Sequence, residues 1–173
     1  MLLACLLALA QTDGLAAAQA AHRAGDYERA TAELAKLPSS AEVEYLWTNL
    51  YYESGLPTQA LEHAQAGLAH EPGHLGLLFR RTSLYLWLSQ PEAARESAAA
   101  LSGAIASASL SADERPGWEA AAKDFVQRAA DLESTSGERS GALMRARVVS
   151  LVVIGLALGV LFRTGRRPVR TSA

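Results

Sequence analysis

Residues 41–74 read AEVEYLWTNLYYESGLPTQALEHAQAGLAHEPGH, and the way Tyr51, Gly55, Ala60 and Ala64 are spaced in that stretch decides the fold. A turn residue, four residues and then an alanine recur three times in the chain. The instances are Gly25-Asp26-Tyr27-Glu28-Arg29-Ala30, Gly55-Leu56-Pro57-Thr58-Gln59-Ala60 and Ser89-Gln90-Pro91-Glu92-Ala93-Ala94. Successive turns lie 30 and 34 residues apart. Ala21, Tyr51 and Tyr85 stand four residues before the turns, and Leu34, Ala64 and Ala98 four residues beyond the alanines. Each unit therefore reads as two antiparallel helices joined by a tight turn, with small residues where the helices cross.

Composition agrees with an all-α chain. Half of the 173 residues are hydrophobic, Ala and Leu dominate, and aromatics make up only 6%. Positive charge is carried by fourteen Arg and two Lys, a bias common in GC-rich bacterial genomes. The net charge of -2 hides an asymmetry. All eighteen acids lie between Asp13 and Glu138; with ten Lys and Arg up to Arg139, that body carries -8, whereas six Arg from Arg145 onward give the tail +6. An acidic body is unsuited to phosphate neutralisation, so nucleic acid is not expected as a partner.

The repeat resembles the tetratricopeptide repeat (TPR), a helix-turn-helix unit of about 34 residues. In residues 41–74, Trp47, Tyr51, Gly55, Ala60, Ala64 and Pro72 occupy or approach the signature places of the family. A shortened unit over 11–40 keeps Gly25, Tyr27 and Ala30. A third over 75–108 keeps Tyr85, Ala94 and Ala98 but has Arg81 and Ser89 in place of Trp47 and Gly55. The last repeat of such a stack needs a cap. Residues 109–133 can supply it, with capping-box spacing in Ser111-Ala112-Asp113-Glu114, Pro116 near the helix start, and a stripe of Trp118, Ala121, Ala122, Phe125, Val126, Ala129 and Leu132. The polar run 134–141 then reads as a flexible tether.

Both ends carry membrane signals. From Val148 to Phe162 the chain is uncharged, and with Ala142 to Met144 and flanking arginines the segment 142–163 reads as one transmembrane helix. Four Arg (Arg163, Arg166, Arg167 and Arg170) follow the uncharged span 148–162 and two precede it, so the positive-inside rule puts the C-terminus, with the basic tail 164–173, in the cytoplasm. The opening run MLLACLLALA, ending in Ala8-Leu9-Ala10, reads as a signal peptide over 1–10 whose cleavage would leave Gln11 first. The expected location is the bacterial inner membrane, single-pass, with the repeats periplasmic or otherwise extracytoplasmic. Without cleavage the sidedness reverses, giving a tail-anchored adaptor facing the cytoplasm. Gly155 and Gly159 form a small-x-x-x-small pattern able to pair transmembrane helices, which would make a homodimer or a structural self-assembling envelope component.

No catalytic constellation, cofactor loop or metal set is found. Cys5 is the only cysteine. His70 and His74 straddle Pro72 and cannot share a regular helical face, so His22, His63, His70 and His74 read as solvated. Function must then come from a surface: a protein-protein interaction module, an adaptor or scaffold for a protein or peptide partner, and not an enzyme. Members of the resembled family bind ligands in the groove formed by the first helix of each unit. That resemblance implies groove residues Tyr45, Asn49, Tyr52 and Glu53 in the second repeat and Phe79, Ser83, Leu86 and Trp87 in the third. Aromatics and Leu86 would anchor an apolar side chain, Asn49 would bond a ligand backbone, and Glu53 would favour a basic residue. The family variety that grips chaperone C-termini places Lys, Asn and Arg at set positions. Here Leu15, Gln19, Leu46 and Gly76 fill four of these and only Arg80 fits, so chaperone-tail binding is not expected.

Overall fold

The computed structural model describes residues 2–135. They are all-α: seven helices, with no strand among the described residues. The helices are α1 Leu2–Arg23, α2 Tyr27–Leu34, α3 Ala41–Glu53, α4 Pro57–His70, α5 Leu75–Trp87, α6 Pro91–Ser107 and α7, which covers 115–135. The chain divides into Met1–Leu132 and Glu133–Ala173, and of the second unit only 133–135 are described. The expected transmembrane helix 142–163, Gly155, Gly159 and the basic tail all lie outside the described residues.

The three expected turns have one hydrogen-bond pattern. Gly25, Gly55 and Ser89 adopt φ of 75°, 73° and 55°. At each, the turn residue donates to the carbonyl three back (His22, Tyr52, Leu86), and the next residue donates to the carbonyl five back (Ala21, Tyr51, Tyr85). This pair of bonds, at 2.8–3.1 Å, is a Schellman ending: a left-handed residue reverses the chain and satisfies carbonyls the helix would leave open. The following helices start from residues suited to the task. Asp26 caps α2 by accepting from the Arg29 N–H, and Pro57 and Pro91 open α4 and α6, where a missing N–H costs nothing.

Across each turn the helices pack as a hairpin: α1 on α2, α3 on α4, α5 on α6. The alanines permit close approach, for Ala30, Ala60, Ala64, Ala94 and Ala98 are fully buried and Leu34 nearly so. Successive hairpins meet through α2 on α3, α4 on α5, and the first helices among themselves, α1 on α3 and α3 on α5. At Gly67, α4 lies close against α3 and α5: a Cβ there would stand 2.6 Å from Leu77 Cδ1 and 2.9 Å from Glu44 Cβ. The first unit is shortened as expected, α2 having 8 residues against 14 in α4 and 17 in α6.

α7 covers the end of the third hairpin. Its capping box is reciprocal: the Ser111 hydroxyl accepts from the Glu114 N–H, while Glu114 accepts from the Ser111 N–H and hydroxyl. Ala122, Phe125 and Ala129 are buried, and Trp118 packs against the same core. Two details differ from expectation. Val126 of the stripe is 41% exposed, and the helix continues through Ser134 and Thr135, where the tether was expected to begin. Arg115 adds a clasp not foreseen, its two Nη atoms donating to the Ile105 and Ala108 carbonyls at the end of α6. α1 likewise runs unbroken through Ala10 and Gln11, where signal cleavage was expected.

Candidate functional site

Because the turns repeat, so do the positions before them. Six, three and two residues before each turn stand Gln19, His22 and Arg23 in the first unit and Asn49, Tyr52 and Glu53 in the second; the third has Ser83, Leu86 and Trp87. The first helices of units one and two, with His74 at the start of α5, enclose a recess of about 270 Å³. Gln19, His22, Arg23, Tyr45 and Asn49 are on its wall, with Glu42 and Leu46.

The wall is held by contacts between units. Asn49 is buried, and its Oδ1 accepts from Arg80 Nε at 2.7 Å; since Nε can only donate, the amide is oriented with Nδ2 away from the arginine. The Arg80 guanidinium lies 4.6 Å from the Tyr52 ring centroid. Tyr52 meets Trp87 edge-on at 5.2 Å, and Trp87 remains 48% exposed, the most exposed of the large hydrophobic residues described. The Tyr45 ring packs at 5.2 Å from His74 and rests on bare backbone, for a Cβ at Gly76 would be 2.8 Å from its Cε2. His74 caps α5 by accepting the Leu77 N–H at Nδ1, which in the neutral ring leaves the proton on Nε2.

The remaining expected groove residues lie elsewhere or are engaged. Phe79 packs on α7, 4.9 Å from Phe125 and 6.0 Å from Trp118, so it joins the core instead of offering a free ring. Leu86 is half-buried against that core, and the Ser83 hydroxyl returns to the Phe79 carbonyl of its own helix. Glu53 is exposed but already accepts from Tyr27 Oη at 3.1 Å and contacts His22 Nε2 at 3.0 Å. The hydrogen bond to Glu53, and secondarily its charge, raises the Tyr27 phenol above its ordinary range.

The histidines are not simply solvated; each has a partner. His22 meets Glu53 and His74 caps α5. His63 pairs with the buried Glu44 at 2.7 Å and stacks on Trp47 and Tyr51, and His70 meets the Ser39 hydroxyl at 2.8 Å. Ser39, His70 and Glu44 form a serine-histidine-acid set in the wrong order for nucleophile activation. The hydroxyl donates to Glu44 Oε1 at 2.6 Å, so its proton goes to the carboxylate and His70 must donate to Ser39. Among the described residues no group of three or more His, Cys, Asp or Glu is placed to hold a metal ion.

Sequence reasoning missed His22 and Arg23. They are the first-unit equivalents of Tyr52 and Glu53, so the turn register alone was sufficient to find them. His74 and Glu42 carried no comparable signal, because they enter the recess through helix-start geometry. No family model matches the chain, and no curated protein matches it as a relative.

Proposed function

We propose that this chain is a membrane-anchored interaction module of the tetratricopeptide-repeat kind, whose recess on the first helices of its units holds a segment of another protein. The observation that carries the reading is the recurrence of one turn, with the same hydrogen bonds and left-handed residue, at Gly25, Gly55 and Ser89. Repeated hairpins stacked by one rule present equivalent residues side by side on one face, which suits extended recognition. The uncharged segment 148–162 and the arginines after it support an anchor with the repeats outside the cytoplasm, where the module acts as adaptor or scaffold. Anchoring raises its effective concentration toward membrane partners.

A photo-crosslinking amino acid placed at Gln19 or Tyr45 should trap a discrete partner in living cells, whereas the same probe at exposed Glu62 or Glu96 should not. Equal trapping at all four positions would remove the recess from the proposal. Sidedness is tested separately, by protease treatment of spheroplasts with an epitope in the repeats. Digestion supports the extracytoplasmic arrangement. The opposite outcome is the cytoplasm-facing arrangement. Protected repeats and an intact Met1 would establish it.

A further inference from the structure

We propose that the first hairpin is a hinged flap on the rest of the stack, pivoting at Pro38 and held shut by Glu53, so that its position sets the width of the recess. The consequence for binding rests on the recess being the binding face; the motion itself is read without a ligand, so the two can fail separately. The apolar core is divided at this seam. Ala18 and Ala21 of α1 and Ala30 and Leu34 of α2 cluster with Val43, Leu46 and Leu50 of α3, apart from a second cluster that runs from Ala41 of α3 through to Phe125 of α7. The helix α3 thus serves two cores, and the first hairpin shares one of them. Among the described residues three of that hairpin's four buried side chains are alanines, whose single methyl groups bury little area and interlock shallowly. The second hairpin, by contrast, is wedged at Gly67 against both α3 and α5.

The chain between α2 and α3 locates the pivot. Leu37 belongs to the first hairpin, packing on its cluster with Cδ2 2.7 Å from where a Cβ on Gly14 would stand. Ser39 belongs to the second unit, its hydroxyl donating to Glu44 at 2.6 Å and meeting His70 at 2.8 Å. Pro38 alone separates these two anchored residues. Its ring fixes φ and keeps Leu37 extended, which narrows the swing to rotation about the Pro38 ψ and the Ser39 φ. The latch is at the other end of α3, about 18 Å away at 1.5 Å per residue. There one carboxylate is met by each helix of the flap: Glu53 contacts His22 Nε2 of α1 at 3.0 Å and accepts from Tyr27 Oη of α2 at 3.1 Å. The Glu53 side chain is 37% exposed, so water replaces both partners when the flap lifts. The recess spans the seam, with Gln19, His22 and Arg23 on the flap and Tyr45, Leu46 and Asn49 on the fixed side. Lifting the flap widens it, and closing brings α1 down on a bound segment.

The test is pulsed electron paramagnetic resonance on the full chain in mild detergent, in a Cys5→Ser background. Spin labels at Arg29→Cys in α2 and Glu96→Cys in α6, both exposed positions, report on the flap; labels at Glu62→Cys and Glu96→Cys form the control pair across the second and third hairpins. In Glu53→Ala the first pair should gain a second, distinct distance, its population rising about tenfold over the wild type as a charge-assisted hydrogen bond is lost, while the control pair keeps one distance. Pro38→Gly, which frees the pivot, should broaden that second distance. A single unchanged distance in Glu53→Ala, or an equal change in the control pair, would overturn the hinge. Loss of any defined distance in the first pair together with helical circular dichroism would show an unfolded hairpin instead of a lifted one, and would overturn it as well. A moving flap without crosslinks at Gln19 or Tyr45 would leave the hinge standing and remove the recess as the binding face.

Discussion

The turn at Ser89 offers the sharpest test of the repeat register. Gly25 and Gly55 sit at φ of 75° and 73°, and a Cβ added at either meets nothing within 4 Å, so an alanine there would be disfavoured by backbone conformation alone. For a non-glycine residue that conformation costs about 1–2 kcal/mol. Ser89 bears this cost at φ 55°, and its exposed side chain makes no hydrogen bond among the described residues to offset it. Ser89→Gly removes the strain but admits a freer unfolded chain, which returns about 0.4–1 kcal/mol. The net expectation is a stabilisation of about 0.5–1 kcal/mol, whereas Gly55→Ala destabilises by about 1 kcal/mol or more. In thermal melts of the full chain in mild detergent, followed by far-UV circular dichroism, these correspond to shifts of about +2 °C and about -3 °C. The opposite signs are the informative part. A destabilising Ser89→Gly together with a neutral Gly55→Ala would show that the three turns are not equivalent, and the 30- and 34-residue register would fall with them.

Three further outcomes follow from contacts between units. Gly67→Ala forces a Cβ against Leu77 and Glu44 and should cost about 1–3 kcal/mol by overpacking, read as a lower denaturation midpoint; an unchanged midpoint would mean α4 and α5 do not approach as described. Arg115→Met removes two hydrogen bonds to the end of α6 and should cost about 1–2 kcal/mol, with a red-shifted Trp118 emission as α7 loosens. The hydroxyl and N–H of Ser111 hold the Glu114 carboxyl below its usual range. A depressed folded-state value means its contribution is complete above the unfolded carboxylate value and is lost as pH falls through the folded one. The stability difference between wild type and Glu114→Gln should therefore be largest at neutral pH and vanish in acid; a difference that persists in acid would assign the effect to something other than the carboxylate charge.

The helix-turn-helix order was legible because it rests on local chemistry. Left-handed turn residues, prolines at helix starts, alanines at crossings and the Ser111–Glu114 capping box each act within a few residues, so their spacing is visible in the chain. Long-range pairings were not. Nothing local at Asn49 announces Arg80, 31 residues away, and nothing at Ser39 announces Glu44 and His70. Phe79 was assigned to the groove by its place in the unit, yet the same place faces α7 because the third unit is the last before the cap. Position within a repeat specifies which face a residue takes, and the neighbouring unit decides whether that face is open.

The same distinction governs the residues just before the turns. Glu53 and Trp87 are equivalent positions in consecutive units, and in sequence the first is an acid that should attract a base. In the folded chain the first unit supplies His22 and Tyr27 to that acid, so its hydrogen-bonding capacity is already used in contacts between units. Arg80 likewise meets the neutral Asn49 amide at 2.7 Å and lies 4.6 Å from the Tyr52 ring centroid. A ledger of formal charges along the chain therefore misstates what a ligand would meet. What a ligand meets is whatever the neighbouring units have left unengaged, and beside Tyr52 that includes the exposed face of Trp87.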